Sequence, residues 1–396
     1  MIVRSRTTCW LVAAVLIATA PAQAEIGTSA KALAPIPSAT LSLMAARDTA
    51  PGAPILMRSF KKEGELEVWK RASNGRYVLL KMFPICRWSG QLGPKQKQGD
   101  RMTPEGFYSI TTRQLNPNSA YHLSFDLGFP NAYDRAHGAT GSYLMVHGIC
   151  SSMGCYAMTS SQISEIYALA REAFLGGQGA FQFQAYPFRM TARNMARARQ
   201  ERHIDFWRQL KEGYDRFEAT GGEPNVGVAG GRYVFAPFRD AGREALAQAR
   251  LKDETDKTAK LVEDGSAAVR ITYADGGQHA SYAALSRAGA PELGGVSRPE
   301  ALAAAGREIV IVPPRLKPPV AVAAAPPVRP AALTSLGLSS VPMPLGSATG
   351  DLSLVFRPAL LGPGVGADPA PDMLAGAARI VPAPLSRRPP EVLAQR

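Results

Sequence analysis

Beyond Ala20 the sequence lacks any apolar run that approaches the roughly 20 residues needed to cross a bilayer, so no later membrane-spanning helix is expected. It also lacks a repeat of fixed period. Acidic residues are in deficit, since 45 basic side chains against 32 acidic ones give a net charge of +13. The basic residues are scattered, without the dense clusters that follow a phosphate backbone. A nucleic-acid partner is therefore disfavoured, and an anionic envelope polymer or membrane surface suits the charge better.

The first residues form the long apolar segment of the chain and have the pattern of an export signal. Arg4 and Arg6 precede an apolar core over residues 9–20, and a small-x-small cleavage site ends at Ala24. We therefore predict a signal peptide over residues 1–24 and an exported protein of the periplasm or cell envelope. No transmembrane anchor is expected after cleavage.

Composition changes along the rest of the chain. Residues 25–53 are rich in Ala, Ser and Pro and are predicted to be a leader or linker. Residues 54–238 are predicted to form the folded domain, and a charged segment with helical character follows over 239–275. Residues 276–396 are rich in Ala, Pro, Gly and Arg, and such sequence buries too little apolar surface to offset the entropy of ordering it. We expect this tail to be disordered.

Short segments rich in β-branched, aromatic and aliphatic residues predict strands in the domain. They cover residues 55–60, 66–71, 77–86, 106–111, 122–127, 142–147 and 180–186. Apolar side chains at helical spacing predict two helices. The first begins after Thr159, which with Gln162 resembles a capping box, and the second covers residues 192–219. This mixture is typical of an α+β fold.

The segment MVHGICSSMGCYAM, residues 145–158, carries the most informative pattern. His147 lies eight residues before Cys155, which ends a Ser-x-Gly-Cys turn just after a strand-like segment. A cysteine attacks a carbonyl carbon only as the thiolate, and a neighbouring histidine can accept its proton. We therefore predict Cys155 as nucleophile and His147 as general base. Met153 and Gly154 are predicted to aim backbone N–H groups at the oxyanion that develops during attack.

The cysteine count bears on the same site. Removal of the signal peptide leaves Cys86, Cys150 and Cys155 in an oxidising compartment, an odd number in which one pair can bridge. If Cys155 is the catalyst, Cys86 and Cys150 should form the disulfide; alternatively, both are small buried apolar residues. A bridge between Cys150 and Cys155 would instead remove the nucleophile.

At these residues the sequence resembles the L,D-transpeptidases with a YkuD-type catalytic domain, whose strand-borne histidine and Ser-His-Gly-Cys turn look like His147 and residues 152–155. The segment PICRWSGQLGPKQKQGDRMTPEGFYSI contains the Thr-Pro-x-Gly-x-Phe/Tyr step typical of the fold. The similarity covers residues 55–238 and is strongest for the YafK-like subgroup. It implies a β-rich domain in which a mixed sandwich or barrel-like sheet is combined with short helices.

The resemblance also implies a chemistry. The substrate would be a peptidoglycan stem peptide, attacked at the carbonyl on the L-centre of meso-diaminopimelate to give a thioester on Cys155. An amine acceptor would give a cross-link or the attachment of an envelope lipoprotein, and water would give hydrolysis. The same residues could thus serve a transpeptidase or an amidase that releases diaminopimelate-linked lipoprotein. The broad family activity, transpeptidation, is the preferred interpretation.

The turn differs from the usual family pattern, because Met153 replaces the histidine that precedes the glycine. His147 must then serve as the only base. Stem carboxylates can be held by Arg or Lys, and aromatic and polar residues near the motif can line a cleft. The candidate substrate-binding residues are Ser152, Tyr156, Arg135, His122 and Tyr143.

Two other interpretations compete with catalysis. His147, Cys150 and Cys155 could be three ligands of a zinc ion, with His122 or His137 as the fourth. The family turn explains these residues without a metal, so we predict neither a metal nor another cofactor. The domain could also be a degenerate module that binds peptidoglycan without turnover, but an intact histidine and cysteine make that less attractive.

Overall fold

The structure is a computed structural model that describes residues 29–288 and 306–315. Its described strands are β1 (Ile55–Phe60), β2 (Glu65–Arg71), β3 (Tyr77–Pro84), β4 (Gly106–Thr111), β5 (Leu115–Asn116), β6 (Ser124–Asp126), β7 (Met145–His147), β8 (Tyr156–Ala157), β9 (Ala180–Tyr186), β10 (Asn225–Ala229), β11 (Arg232–Ala236), β12 (Ala268–Thr272) and β13 (Arg307–Val312). Its described helices are α1 (Ser38–Ala46), α2 (Ala132–Ala136), α3 (Ser160–Leu175), α4 (Ala192–Arg197), α5 (Ile204–Thr220), α6 (Ala241–Glu263) and α7 (Ala280–Arg287). The predicted signal peptide and most of the predicted tail lie outside the described residues.

Five strands form the large sheet, in the order β3-β2-β1-β9-β4. β1 pairs antiparallel with β2 and parallel with β9, and β4 closes the edge antiparallel to β9. Every residue of β1 is buried, as expected for a central strand that is covered on both faces. The strands predicted over residues 55–60, 106–111 and 180–186 are confirmed with the same bounds.

Four short strands form the small sheet, in the order β5-β6-β7-β8. β6 pairs antiparallel with β7, and β7 pairs parallel with β8. Beyond β8, Arg87 pairs with Ala157, and Trp88 pairs in turn with Gly277. Segments that follow β3 and β12 therefore continue the small sheet at the β8 edge.

An apolar core joins the two sheets. Phe125 of β6 and Tyr156 of β8 pack against Phe183 of β9, with ring centroids 6.3 and 5.6 Å apart. Helix α3 packs against β1, β6 and β7 and so contacts both sheets. The predicted α+β fold, with mixed sheets and short helices, is confirmed.

Helix α3 begins where the sequence predicts. The Thr159 side chain accepts the N–H of Gln162, and the Gln162 carboxamide accepts the N–H of Thr159 at 3.0 Å, so the capping box is confirmed. The predicted apolar stripe, including Ile163 and Ile166, is buried.

The helix predicted over residues 192–219 is two helices instead of one. α4 packs against α6 and β12, whereas α5 packs against α6 and β11. A straight helix of about 28 residues would extend roughly 42 Å, too far to keep both of these contacts. Tertiary packing therefore overrides the continuous helical pattern of the sequence.

Residues 29–53 differ from the linker expected there, because they pack against the domain. Ala32, Ile36 and Met44 are buried, and α1 lies within this segment. The Arg171 guanidinium donates to the carbonyl oxygens of Ala32 and Ala34, which fixes the path of the chain before α1. A few apolar side chains and one buried cation thus order a segment whose composition resembles a linker.

The C-terminal part of the described chain is also ordered further than expected. The charged segment forms the long helix α6, held to α5 by ion pairs such as Lys211 with Glu254 and Arg216 with Glu244. The described residues of the predicted tail include α7 and β13, and β13 pairs antiparallel with β12. Strand pairing supplies backbone hydrogen bonds that composition alone does not reveal. Among the helices described, none has the length and apolar composition of a membrane span.

Candidate active site

The small sheet brings the segments that carry Cys155 and His147 next to each other. β7 and β8 are paired so that His147 lies opposite Ala157. Cys155 directly precedes β8 and is two residues before Ala157. Residues paired in register share a face of the sheet, so Ala157 and His147 lie on one face, and Cys155 lies in the turn that leads into β8.

The Cys155 thiol is held by the backbone of the segment that leads into β7. Its Sγ atom accepts a hydrogen bond from the N–H of Met145 at 3.4 Å and donates one to the carbonyl oxygen of Tyr143 at 3.6 Å. The side chain is half-buried, and it is the free cysteine of the described residues. A thiol that donates to a carbonyl is in its protonated form.

Burial raises the pKa of Cys155 to about 11. The N–H of Met145 acts in the opposite direction, the negative charge of Asp126 raises the pKa further, and the ammonium of Lys95 lowers it. Asp126 acts from the next strand, since it pairs with Met145 across β6 and β7. The resting thiol is therefore neutral at physiological pH and needs a base to become a nucleophile.

His147 is 2% exposed, and burial lowers the pKa of its imidazole. Its Nδ1 atom is hydrogen-bonded to the carbonyl oxygen of Gly148, which fixes the proton on Nδ1 and leaves Nε2 as the acceptor. The ring of Tyr121 covers the imidazole at a centroid distance of 4.6 Å. A neutral imidazole with a free Nε2 lone pair is the form that can accept a proton.

Within residues 29–288, the Cys155 thiol makes no hydrogen bond to the His147 imidazole. Both groups are neutral, so the pair is not a preformed thiolate and imidazolium. Catalytic hydrogen bonds are often long or misaligned without substrate and shorten in the complex.

Ser152 organises the turn that carries the cysteine. Its Oγ atom accepts the N–H of Gly154 at 3.2 Å and the N–H of Cys155 at 3.0 Å, and it donates to the carbonyl oxygen of Cys155 at 2.8 Å. The N–H of Gly154, predicted as an oxyanion donor, therefore points to Ser152 in this structure. The Met153 side chain is 71% exposed at the tip of the turn.

Gly154 has a φ of +131°, a backbone conformation that side chains rarely allow. A Cβ atom at this position would lie 3.0 Å from Leu144 Cδ1 and 3.5 Å from the carbonyl oxygen of Met102. The glycine is therefore required both by its backbone angle and by the close approach of Leu144.

The turn is supported from the loop between β3 and β4. Ser89 Oγ lies 3.0 Å from Ser152 Oγ, and Thr103 Oγ1 donates to the carbonyl oxygen of Cys155 at 3.2 Å. Arg101 Nη2 donates to the carbonyl oxygen of Ser152 at 3.4 Å. Both carbonyl groups that flank the nucleophile turn are thus hydrogen-bonded from outside it.

Cys86 and Cys150 form a disulfide, with their Cα atoms 5.5 Å apart. Cys86 follows β3 of the large sheet, and Cys150 lies in the loop between β7 and β8 of the small sheet. The bridge therefore ties the nucleophile loop to the large sheet. It also takes Cys150 out of any metal site, and the described residues contain no group of three His, Cys, Asp or Glu side chains placed to hold a metal ion.

The other predicted substrate-binding residues fall in different places. Tyr156 is fully buried and donates to the carbonyl oxygen of Pro104, so it belongs to the core and not to a cleft. His122 is hydrogen-bonded to Ser164 of α3 through Nε2. The exposed Arg135 donates to the carbonyl oxygen of Pro130 at the start of α2.

Tyr143 is better placed than these residues. It is 76% exposed, and its carbonyl oxygen accepts the Cys155 thiol. Its φ of +57° turns the chain just before β7. Ser152, in contrast, is buried and acts on the turn itself.

Sequence reasoning missed Asp126, Tyr121 and Asp275. Asp126 lies in the strand predicted over residues 122–127. The register between that strand and β7 decides which residues lie opposite each other, so this prediction held a signal for Asp126. Tyr121 contacts the imidazole from the residue before that segment. Asp275 is remote in sequence and reaches the site through Arg101, which no local pattern could indicate.

A cavity of about 320 Å³ lies elsewhere in the domain, between α4, α5 and β12. Its apolar floor includes Leu92, Phe188 and Trp207, and neither Cys155 nor His147 lines it. The candidate nucleophile therefore does not lie in this cavity.

Residues 56–175 match the family model of the L,D-transpeptidase catalytic domain, YkuD. The chain is 50% identical over 185 residues to "Putative L,D-transpeptidase YafK" of Escherichia coli K12, an alignment that covers 47% of this chain and 75% of that protein. The protein of the same name from Escherichia coli O157:H7 gives the same identity and coverage.

Solved structures give weaker similarities. The helical cell shape determining protein Pgp2 of Campylobacter jejuni is 14% identical, over 59% of this chain and 80% of that one, with a TM-score of 0.27. Bd1075 of Bdellovibrio bacteriovorus is 15% identical, over 57% of this chain and 77% of that one, with a TM-score of 0.25. TM-scores this low do not support an inference about function.

The matched region contains the small sheet, four of the five strands of the large sheet and α3, together with the Ser-Met-Gly-Cys turn, so the chain contains a YkuD-type catalytic domain. Half of the 185 aligned residues are identical to those of a relative, and the alignment covers three quarters of that relative. The chain belongs to the L,D-transpeptidase family.

Proposed function

We propose that this protein is an exported cysteine acyltransferase that acts on peptidoglycan stem peptides through a thioester on Cys155. The observation that supports this proposal best is the pairing of β7 with β8, in which His147 lies opposite Ala157, two residues after Cys155. The signal peptide predicted over residues 1–24 would deliver the enzyme to the periplasm, where this polymer is found.

In the acylation step, His147 Nε2 accepts the thiol proton as Cys155 Sγ attacks the carbonyl carbon of the scissile amide. A C–S bond forms and the carbonyl oxygen becomes an oxyanion. The imidazolium then donates its proton to the amide nitrogen, the C–N bond breaks, and the amine leaves. A general base supplies about 10² to 10⁴ of the rate in steps of this kind.

Backbone donors of the turn would stabilise the oxyanion. The N–H groups of Gly154 and Cys155 are bonded to Ser152 in the resting state, at 3.2 and 3.0 Å. An oxyanion is a stronger acceptor than a hydroxyl, since a charged partner makes a stronger hydrogen bond. We propose that these donors turn toward the oxyanion during attack, with the N–H of Met153 beside them.

In the second step, His147 removes a proton from the acceptor, which attacks the thioester and releases the Cys155 thiol. An amine of a second stem or of a lipoprotein gives transpeptidation, and water gives hydrolysis. The proposed substrate is the stem bond at the L-centre of meso-diaminopimelate, as the family membership suggests. Transpeptidation is the activity that the family name favours.

The test of acylation is mass spectrometry of the intact, oxidised protein after incubation with purified stem tetrapeptides. We expect an acyl adduct on the peptide that contains Cys155. The adduct should be absent from Cys155→Ala and strongly reduced in His147→Gln. Stem turnover that survives Cys155→Ala would overturn the proposal, and binding without an adduct would identify a peptidoglycan-binding module instead.

The test of the acceptor is muropeptide analysis after incubation with peptidoglycan, with and without lipoprotein-linked stems. New links between diaminopimelate residues, or new lipoprotein attachment, identify a transpeptidase. Free tripeptide together with released lipoprotein would show instead that water is the acceptor. The Cys155→Ala variant is the control in both arms, because every product should depend on the thiol.

A further inference from the structure

Asp275 is a buried carboxylate at the back of the nucleophile turn. It lies between β12 and α7, about a hundred residues after the segment that matches the family model. Its side chain is 3% exposed, although it carries a charge and sits in an irregular segment. Buried carboxylates persist in proteins when cations and backbone donors compensate them, and Asp275 has both.

Two arginines meet this carboxylate. Arg101 approaches it with both ends of its guanidinium, with Nε 3.1 Å from Oδ1 and Nη2 2.5 Å from Oδ2. Arg87, which is fully buried, donates to the backbone carbonyl of Asp275 and has Nη2 3.9 Å from Oδ2. The N–H of Gly90 donates to Oδ1 at 3.3 Å. The bidentate pair with Arg101 fixes the plane of that guanidinium.

The segment around Asp275 is locked in register against the loop after β3. Gly277 and Trp88 exchange backbone hydrogen bonds of 3.1 and 3.0 Å, and the N–H of Gly276 donates to the carbonyl oxygen of Gly90 at 2.7 Å. A Cβ atom on Gly276 would lie 2.0 Å from the carbonyl oxygen of Trp88. The carboxylate therefore cannot move away from the arginines without breaking this pairing.

The same guanidinium reaches the nucleophile turn. Arg101 Nη2 donates to the carbonyl oxygen of Ser152 at 3.4 Å, and the Ser152 hydroxyl holds the N–H groups of Gly154 and Cys155. Arg101 adopts this position with a φ of +60°, an uncommon conformation for a side chain of its size. A continuous set of contacts thus runs from Asp275 through Arg101 and Ser152 to Cys155.

We propose that Asp275 is a positioning residue for the nucleophile, acting through Arg101 to hold Ser152 and the turn in the arrangement that keeps the Cys155 thiol seated against the backbone of β7. This inference rests on the proposed function, since it concerns the same thiol. It extends the functional unit to the segment between β12 and α7, beyond the residues that match the family model.

The test compares Asp275→Ala, Asp275→Asn and Arg101→Gln with the wild-type chain. The first readout is the pH profile of Cys155 alkylation by iodoacetamide, and the second is stem turnover. Loosening the turn hydrates the thiol, so we expect alkylation at pH 8 to become about fivefold faster, because a less buried thiol ionises more readily. Turnover should fall by about 10- to 100-fold, because a misplaced nucleophile loses orientation.

Asp215→Asn is the matched control. Asp215 is also a buried carboxylate in an ion pair, with Lys211 at 2.7 Å, but it lies in α5, facing α6, and has no contact with the turn. We expect this variant to melt earlier with an unchanged alkylation profile. Asp126 and Lys95, the charged groups that act on the thiol directly, are unaltered in every variant.

The proposal is supported if the Asp275 variants are alkylated faster and turn over stems more slowly than the wild type. Arg101→Gln should show the same two changes, and Asp215→Asn should show neither. Asp275→Asn keeps the shape of the side chain, so it tests the charge even if Asp275→Ala folds poorly. An alkylation profile identical to the wild type in both Asp275→Asn and Arg101→Gln would overturn it. If no chain turns over stems but the profiles still differ, the proposed function fails and the positioning role stands.

Discussion

The large sheet and the small sheet of this protein are built in different ways. The large sheet has strands of six to eight residues, and its central strand β1 is buried along its whole length. The small sheet has strands of two or three residues, joined by loops that carry the candidate active site. Regular pairing and apolar burial therefore concentrate in one sheet, and the chemistry concentrates in the other.

Backbone conformation shows the same contrast. Five described residues have positive φ without being glycine. Four of them, Arg101, His122, Tyr143 and Ile149, lie in loops around the small sheet, and the fifth, Asp48, lies between α1 and β1. Conformations of this kind cost about 1 to 3 kcal/mol each and persist where the surrounding structure imposes them. Burial in the large sheet stabilises the fold. Part of that free energy offsets the cost of holding the loops around the small sheet in defined positions.

The first prediction separates chemistry from stability at the small sheet. His147→Gln should lower turnover of stem peptides by about 10² to 10⁴ because the base is lost. In the wild-type chain, the acid limb of the pH profile should lie below the ordinary histidine pKa of about 6.5, because burial lowers the pKa of His147. Stopped assays across pH measure both effects. A His147→Gln variant that melts far below the wild type but turns over stem peptides at the normal rate would contradict the assignment of chemistry to the small sheet.

The second prediction concerns the large sheet. Phe217 is 1% exposed and packs its ring edge-on against Trp69 of β2 at a centroid distance of 5.0 Å. Phe217→Ala should reduce the free energy of unfolding by about 3 to 5 kcal/mol through lost burial and a cavity. Urea denaturation measures the loss. At a temperature where the variant is folded, turnover per molecule should match the wild type, and a large change in turnover would contradict the division of roles.

The third prediction concerns the covalent link between the sheets. Replacing both Cys86 and Cys150 with Ala should lower the free energy of unfolding by about 2 to 4 kcal/mol, the usual contribution of a disulfide. Thermal melting with and without reducing agent provides the measurement. The wild-type protein should lose stability under reduction, whereas the double variant should be insensitive to it. An unchanged melting temperature of the wild type under reduction would contradict a stabilising disulfide between Cys86 and Cys150.

The fourth prediction concerns strain in the nucleophile turn. Gly154→Ala should destabilise the protein by about 1 to 3 kcal/mol, because its φ of +131° disfavours a side chain. Gly179→Ala is the control, since nothing lies within 4 Å of its Cβ position. Denaturation curves of the two variants should therefore differ. Equal stability would show that the turn relaxes at little cost.

The fifth prediction is the smallest and concerns the charges beside the thiol. Asp126→Asn removes a negative charge that disfavours the thiolate, so the pKa of Cys155 should fall by up to about one unit, equivalent to roughly 1.4 kcal/mol. Lys95→Gln removes a positive charge and should raise that pKa. Alkylation rates as a function of pH measure both shifts. Shifts of the same sign in the two variants would show that burial, and not charge, controls the thiol.

Much of the large sheet could be predicted, because its strands have strong local patterns. The bounds of β1, β4 and β9 follow from runs of β-branched and aromatic residues, and the start of α3 follows from Thr159 and Gln162. The division of residues 192–219 into two helices could not be predicted, since nothing in that segment breaks the helical pattern. Only the partners of α4 and α5 impose the break.

The sequence by itself determined that Cys155 and His147 are candidates for chemistry, because a histidine, a tight turn and a cysteine lie within a span of nine residues. Tertiary structure decided how they meet and what surrounds them. Asp126 reaches the thiol through strand register, and Asp275 reaches the turn through Arg101. Pairing between distant segments sets those positions. The contacts that stabilise this pairing form only in the folded molecule, so no local stretch of the chain specifies it.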